Sequence, residues 1–339
     1  MHIVIMGSGM AGIILAEELH KLSPDLCLSV LTRETQGYYS RPMLSHGFAR
    51  DDVETKIILK SFDALRDSGI RIEAGSEVLG IDRSTRIVRY QHKGQPATVT
   101  YDTLVLAPGS DAFVPPPFRS DPSLYRVINS LDDLMDVRRQ RARLLAGGAI
   151  PRWAIIGGGL IGCEVASDLA KAGDAVMLFH ALPRLMERQL VEDDSATLLE
   201  VLVGLDVDVR LNAAAQGFER QGETIAIRLA EGCVTGFDGI IVATGFKPRI
   251  TLAENAGIEV QRGIVVDDFL RTSDPAIYAL GDAAECRDGH IYAYVMPIRH
   301  QALWLARHLA GQTHASWQPP LFKPRAKVHG FTAAHPYIF

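Results

Sequence analysis

Paired cysteine is the first thing missing from this chain of 339 residues. Its four cysteines, Cys27, Cys163, Cys233 and Cys286, stand far apart, with no C-x-x-C and no zinc spacing. A dithiol built from sequence neighbours is excluded, and so is a zinc knuckle. Buried or inert thiols are the ordinary reading; Cys163 stands out only because it follows a glycine motif at a helix start. An excess of positive charge is also missing, since 35 Lys and Arg face 40 Asp and Glu for a formal charge of −5. That balance gives no global attraction to nucleic acid or to an anionic membrane, and neither is expected as a partner. No apolar run approaches the roughly 20 residues of a membrane span. The first strand begins at Met1, which leaves no room for a signal peptide, so a cytoplasmic location is expected. The eleven histidines form no recognisable ligand spacing. No metal site is expected, and His46, His300, His308, His314 and His335 read as ordinary polar residues.

What is present begins at once. Ile3 to Met6 form a short apolar strand that runs into Gly7-Ser8-Gly9-Met10-Ala11-Gly12, followed by Ile13, Leu15, Ala16, Leu19 and Leu22 at helical spacing. Gly7 permits the turn, Gly9 removes a side chain that would block a pyrophosphate, and Gly12 lets the helix pack close to the strand. The helix N-terminus then offers free N–H groups and a partial positive charge to phosphates. A lone G-x-G-x-x-G is weak evidence, but here it sits in the strand-to-helix context that gives it meaning. Cys27 to Thr32 reads as the next parallel strand, beyond which Arg33 and Glu34 are the candidates to meet an adenosine ribose.

Further along, Tyr38 to His46 holds a cation beside a proline, Arg41-Pro42. Short strands are expected at Glu77–Asp82, Arg86–Tyr90 and Thr98–Leu106, the last ending in Ala107-Pro108-Gly109. Val114-Pro115-Pro116-Pro117 reads as a linker and a domain boundary, and a charged helix is expected around Leu131 to Leu145. Then the opening repeats. Trp153 to Ile156 leads into Gly157-Gly158-Gly159-Leu160-Ile161-Gly162 at an offset of 150 residues, with Ala175 to Phe179 as the following strand. Tyr101 to Gly109 likewise has a counterpart in Phe237 to Gly245, including Ala243 and Thr244, at an offset of 136. One chain thus carries two nucleotide-binding domains of one design. Ile277 to Leu280 reads as a buried strand ending at Gly281-Asp282, a place for a carboxylate to meet a ligand's hydroxyls. Tyr294 to Pro297 is expected to precede a helix from about Arg299 to Ala310, and the tail from Trp317 to Phe339 looks like the start of a small β element.

On the two glycine motifs, the two small-residue turns and the late Gly-Asp, residues 1 to 325 resemble the flavin-dependent pyridine-nucleotide reductases. Within that superfamily, Ile3–Leu22, Tyr39–Phe48 (YSRPMLSHGF), Leu160–Glu164 (LIGCE), Arg262–Asp282 and Tyr294–Ile298 (YVMPI) are similar to the bacterial NADH-dependent rubredoxin reductases. Leu185–Leu190 (LMERQL) also resembles the flavin part of assimilatory nitrite reductases. The resemblance implies an α/β fold of two Rossmann-like three-layer ββα domains of the glutathione-reductase type, plus a shortened C-terminal segment. The expected FAD domain is residues 1–113 with 246–316, the NAD(P)H domain 114–245, and 317–339 a remnant of an interface domain. For FAD the resemblance implies Gly7, Ser8, Gly9, Met10, Ala11, Gly12, Arg33, Glu34, Val78, Ala107, Gly109 and Gly281 as contacts. Asp282 would take ribityl hydroxyls, Arg41 and Pro42 would lie against the flavin, and Met296-Pro297 would cover its pyrimidine edge. For the nicotinamide dinucleotide it implies Gly157, Gly159, Leu160, Ile161, Gly162, His180, Ala243, Thr244 and Gly245, with Glu164 reaching the flavin–nicotinamide junction. Arg41 and Glu164 are the catalytic candidates.

Three departures from the family pattern stand out. Arg41 replaces a lysine, keeping the charge as a planar fork. His180 stands where an acid would hold the ribose, with Arg184 nearby, although NADH remains the expected donor over NADPH. Family members also carry a longer C-terminal domain. The expected activity is hydride transfer from NADH to FAD and then single electrons to a small acidic iron carrier, rubredoxin before others. A cationic rim for which Arg41, Arg299 and Arg307 are candidates would speed that encounter. A ferredoxin, a nitrite-reducing or a diiron nitric-oxide-reducing system are the alternative acceptors. A nucleotide-sensing flavoprotein without turnover is the rival from another class, and monomer and homodimer both stay open.

Overall fold

The protein is described by a computed structural model covering residues 1–338; Phe339, the last residue of the expected interface remnant, lies outside the described residues. The chain divides into two compact units. The first comprises Met1–Ser40, Ile58–Asp111 and Lys247–Phe322; the second comprises Arg41–Ile57, Ala112–Phe246 and the segment from Lys323 on.

In the first unit a five-stranded parallel sheet runs in the order Ile277–Ala279, Thr103–Leu106, His2–Met6, Cys27–Thr32, Arg71–Ala74. Its strands are short apolar runs because both faces are covered: Ile3, Val4, Ile5, Val30, Leu104 and Val105 have no exposed surface. Helix Met10–Leu22 packs on helix Val295–Leu309, burying Ile13, Leu15, Ala16 and Leu19 from one and Ala302, Leu305 and Ala306 from the other. A three-stranded antiparallel meander, Ser76–Asp82, Ile87–His92 and Gln95–Thr100, supplies the remaining layer.

The second unit repeats the plan with a four-stranded parallel sheet, Val207–Arg210, Ala175–Phe179, Arg152–Ile156, Gly239–Val242. Its meander is Gly217–Gln221, Thr224–Leu229 and Gly232–Phe237. Trp153, fully buried, donates its indole N–H to Asp174 at 2.9 Å; truncating such a side chain to alanine costs about 3–5 kcal/mol. The repeat extends to single hydrogen bonds. Asp102 accepts the His2 N–H on its carboxylate at 2.7 Å while donating its own N–H to the His2 carbonyl at 2.9 Å. Asp238 does the same with Arg152 at 2.7 and 2.9 Å.

Several elements differ from the sequence expectation. The strand expected over Thr98–Leu106 is two strands, because the Asp102 corner tied to His2 separates Gln95–Thr100 from Thr103–Leu106. The late helix starts at Val295 rather than Arg299. Pro297 falls in its first turn, where a missing N–H breaks no helical bond. No strand forms among the described residues of the tail; Pro319, Pro320, Pro324 and Pro336 deny it a continuous ladder. Side chains secure the end of the tail instead, and this groups it with the second unit. Asp194 accepts the N–H groups of Ala334 and His335 at 2.9 and 3.0 Å, and Ile338 donates to the Gln189 carbonyl at 2.9 Å. Arg41–Ile57 also groups with the second unit, contrary to the expected boundary at 113. Asp168 accepts the N–H groups of Phe48 and Ala49 at 2.7 and 3.2 Å, and Arg138 binds the Gly47, Arg50 and Asp51 carbonyls.

Candidate functional site: two glycine cradles

In the first cradle Gly7 has φ +113°, and a Cβ there would stand 2.1 Å from the Ala107 carbonyl oxygen. A Cβ on Gly12 would stand 2.0 Å from the oxygen of Gly7. Both positions are closed to any side chain. The second cradle copies this: Gly157 has φ +114° with its would-be Cβ 2.4 Å from the Ala243 oxygen, and Gly162 would meet the Gly157 oxygen at 1.8 Å. Gly7 donates its N–H to Leu31 at 2.9 Å and Gly157 donates to Phe179 at 2.8 Å. The third glycine position differs in kind, for a Cβ on Gly159 would meet open space.

Both helices that open on these turns, Met10–Leu22 and Leu160–Lys171, lack a side-chain cap and an acid in the first turn. Helix Leu131–Ala146 shows the contrast, with a full capping box from Ser130 and Asp133. The cradles therefore keep N–H groups and positive dipole for an anion. In the first unit, buried Gln301 accepts the Gly281 N–H at 2.8 Å while its own amide nitrogen has no partner among the described residues. Ser110 donates to Asp282 at 2.9 Å, and Tyr39 donates to Glu34 at 3.0 Å. An uncapped cradle, a carboxylate beyond the second strand and an orphaned amide beside Gly281-Asp282 fit FAD. The second cradle fits a dinucleotide by the same sterics. Val78 lies at a bulge in the first meander, Arg33 and Ile161 are exposed, and Met296 is exposed while Pro297 is buried. Gly109 and Gly245 take left-handed φ values of +73° and +115°, and Thr244 donates to the Phe113 carbonyl at 2.6 Å.

Glu164 is 2% exposed, and both its oxygens are in use. One accepts the backbone N–H and the ammonium of Lys327, each at 2.8 Å; the other accepts the same ammonium at 2.7 Å and the Ser45 hydroxyl. Pro42 falls in the turn Arg41–His46, and the Arg41 guanidinium donates to the Asn129 carbonyl. Next to Glu164 the fold brings together His46, Asp168 and His329, with ligand atoms within 4.8 Å of one another. His329 lies 2.9 Å from Asp168, and its other ring nitrogen 3.3 Å from the Lys171 ammonium. An ammonium has only protons to offer, so the hydrogen of a neutral His329 ring is assigned to the nitrogen that faces Asp168. Burial holds the His46 imidazole below its ordinary value against the pull of Asp168 and Glu164. The cysteines are all free. Burial pushes the Cys163 thiol far up and that of Cys286 to about 12, so neither is a thiolate near neutrality.

His180, at the position where the family pattern has an acid, has both ring nitrogens engaged within the protein. Its Nδ1 accepts the Gly158 N–H at 3.0 Å and its Nε2 lies 3.1 Å from a Glu187 oxygen. Arg184 turns back on its own loop, donating to the carbonyls of Leu190 and Glu187 at 2.6 and 2.9 Å. Sequence reasoning did not single out Glu187, Ser45, Lys327, His329 or Gln301, which the structure places around the two cradles. Two of them lie inside motifs already noted, Glu187 in LMERQL, 25 residues past Gly162, and Ser45 in YSRPMLSHGF.

Two parallel-sheet units, each opening on an uncapped glycine turn, define an oxidoreductase fold of the FAD- and NAD-binding kind. The chain belongs to the pyridine nucleotide-disulphide oxidoreductase family, whose pattern matches residues 1–306; membership implies FAD and NAD(P)H as cofactors. It is 34% identical to a rubredoxin-NAD(+) reductase of Alcanivorax borkumensis over 92% of this chain and 79% of that protein. It is 32% identical to a nitric oxide reductase FlRd-NAD(+) reductase of Vibrio vulnificus over 94% of this chain and 81% of that one. Among solved structures, putidaredoxin reductase in covalent complex with putidaredoxin superposes with a TM-score of 0.84 at 27% identity, over 97% of this chain and 79% of that chain. A NAD-dependent persulfide reductase from A. fulgidus shares the fold, with a TM-score of 0.88 at 23% identity, and this chain spans 62% of its length. No helix among the described residues is long and apolar enough to cross a membrane.

Proposed function

We propose that this protein is a cytoplasmic, FAD-containing NADH reductase that delivers electrons singly to a small acidic iron carrier, rubredoxin before a flavorubredoxin-type acceptor. The observation that carries the reading is the duplicated cradle, closed to side chains at Gly7, Gly12, Gly157 and Gly162 and free of caps at both helices. The names of the relatives at 34% and 32% identity support the carrier class. The scattered, free cysteines support it as well, because a relay through a protein dithiol needs paired cysteines and no two here are neighbours in sequence.

Bound FAD would supply the hydride-accepting and one-electron-donating chemistry that no side chain here possesses. The protein's part is to hold and to orient. Gly7, Gly9 and Gly12 would hold one pyrophosphate at the N-terminus of Met10–Leu22, with Ser8, Met10, Ala11, Ala107 and Gly109 around the turn and Val78, Arg33 and Glu34 toward the adenosine. Gly281, Asp282, Met296 and Pro297 would meet the far end of the cofactor. Gly157, Gly159, Leu160, Ile161 and Gly162 would hold the dinucleotide, flanked by Ala243, Thr244 and Gly245. Glu164 fixes Lys327 and Ser45 beside the second cradle, and Arg41 would stabilise negative charge on the reduced flavin. Arg299 and Arg307 are exposed on helix Val295–Leu309 and would steer an acidic carrier in a salt-dependent way. Anaerobic NADH added to the purified yellow protein is expected to bleach the flavin, and rubredoxin added next to restore it. Absence of bleaching would sink the reading, while restoration only by a ferredoxin or a nitric-oxide-reducing partner would reassign the carrier.

A further inference from the structure

We infer that Glu187 is the carboxylate that reads the adenosine ribose in the second cradle, that His180 is the positioning residue which fixes it, and that the pair selects NADH over NADPH. The inference rests on the proposed dinucleotide role of this cradle. Its first support is placement. The Gly158 peptide is gripped from both sides by one loop, since its N–H donates to His180 at 3.0 Å and its carbonyl accepts the Met186 N–H at 2.8 Å. Glu187 therefore sits one residue from a direct bond to the glycine turn. Met186 takes φ +48°, unusual for a residue with a side chain, and Leu185 and Met186 are fully buried. A Cβ on Gly158 would stand 2.5 Å from Leu185 and 2.8 Å from the His180 ring, so the middle glycine exists to admit this loop.

The hydrogen bonds then set the chemistry. A backbone N–H can only donate, so His180 Nδ1 is an acceptor and the ring proton lies on Nε2, aimed at Glu187. The Glu187 side chain stays 23% exposed, and its other oxygen has only a loose pairing at 3.8 Å with Arg188, itself 85% exposed. Two carboxylate oxygens offer about four acceptor sites, and one strong donor leaves room for the vicinal hydroxyls of a ribose. A 2′-phosphate would instead bring a dianion against a fixed carboxylate. Arg184, the nearby cation that a 2′-phosphate would call on, spends its guanidinium on the Leu190 and Glu187 carbonyls.

The first cradle supplies an independent parallel. Thr32 ends its second strand as His180 follows the end of the other, and Thr32 bonds the cradle through Ser8 at 2.7 Å as His180 does through Gly158. Glu34 follows two residues later with its N–H on the Thr32 hydroxyl at 3.1 Å. Each cradle thus has a bridging residue and then an acid; the second places its acid on a longer loop.

Calorimetric titration of the FAD-loaded protein with NAD+, NADP+ and 2′-deoxy-NAD+ tests this without turnover. The unaltered protein should bind NAD+ about tenfold to a hundredfold more tightly than either analogue, as expected for hydrogen bonds to a charged acceptor. Glu187→Gln should cut both ratios to about threefold or less, while Glu187→Asp retains most of the discrimination against NADP+. His180→Ala should lose part of the ratio and His180→Gln, which keeps an acceptor and a donor, should restore it; a merely structural role would move melting temperature without that pattern. Unchanged ratios in Glu187→Gln, or a preference for NADP+ that Arg188→Ala abolishes, would overturn the inference. Failure of NADH to bleach the flavin would sink the electron-transfer reading and leave these binding ratios to stand on their own.

Discussion

The two cradles share their sterics and differ in their chemistry. Four glycines are held to the same closed geometry, with carbonyl oxygens at 1.8–2.4 Å from any added Cβ. Around that frame the first cradle uses neutral hydroxyls, Ser8 to Thr32, where the second uses an imidazole ring between Gly158 and Glu187. Glu164 has no charged counterpart in the first helix, whose matching residue is Ile14. Duplication kept what a pyrophosphate needs from backbone and left free what distinguishes one adenine-bearing ligand from another.

The sharpest way to break that comparison is a pair of matched substitutions. Gly12→Ala is expected to yield protein with little bound flavin, whereas Gly162→Ala should keep the flavin and bind NAD+ tenfold to a hundredfold more weakly, given about 1–3 kcal/mol for overpacking. Absorbance at purification and calorimetry read the two outcomes; flavin lost from Gly162→Ala instead would reverse the assignment of the cradles. A smaller effect belongs to the ionic side of the second unit. Lys327→Met strips the buried Glu164 carboxylate of its ammonium and should destabilise by about 2 kcal/mol in denaturant unfolding. Combining it with Glu164→Gln should recover part of that loss, since the cost is the uncompensated charge. Equal melting of single and double variants would mean the pair carries no such charge penalty.

Smallest is a pH effect at His46. Burial keeps its folded-state value below the ordinary ~6.5, so the unfolded chain binds more protons and stability falls as pH drops from about 6.5 through the lowered value. Replacing His46 by glutamine should flatten the slope of stability between about pH 5 and 7 by no more than one proton's worth. An unaltered slope would place the titration elsewhere.

The frame was legible because its causes are local. Apolar runs, glycines at fixed offsets and the repeated Asp102 and Asp238 corners impose the same sterics wherever they occur, and the parallel registers follow from them. What escaped was whatever depends on meeting through space. Lys327 lies 163 residues from the carboxylate it serves, and no periodicity in the tail announces it. Arg41–Ile57 groups with the second unit because Asp168 and Arg138 claim its backbone, a fact invisible until helix Leu160–Lys171 is folded. Glu187 was written in plain view, but strand-end rules look for an acid at the tip, and here a histidine at the tip holds the acid from behind.

The scattered thiols leave one practical legacy. Cys163 is sealed in a helix interior and Cys286 is half-buried with a thiol too basic to react readily, while Cys27 and Cys233 are exposed. One of these two reactive positions falls in each compact unit. A donor and an acceptor fluorophore coupled to the native chain would therefore report the distance between its halves, and any hinge motion on reduction could be followed by energy transfer without a single engineered residue.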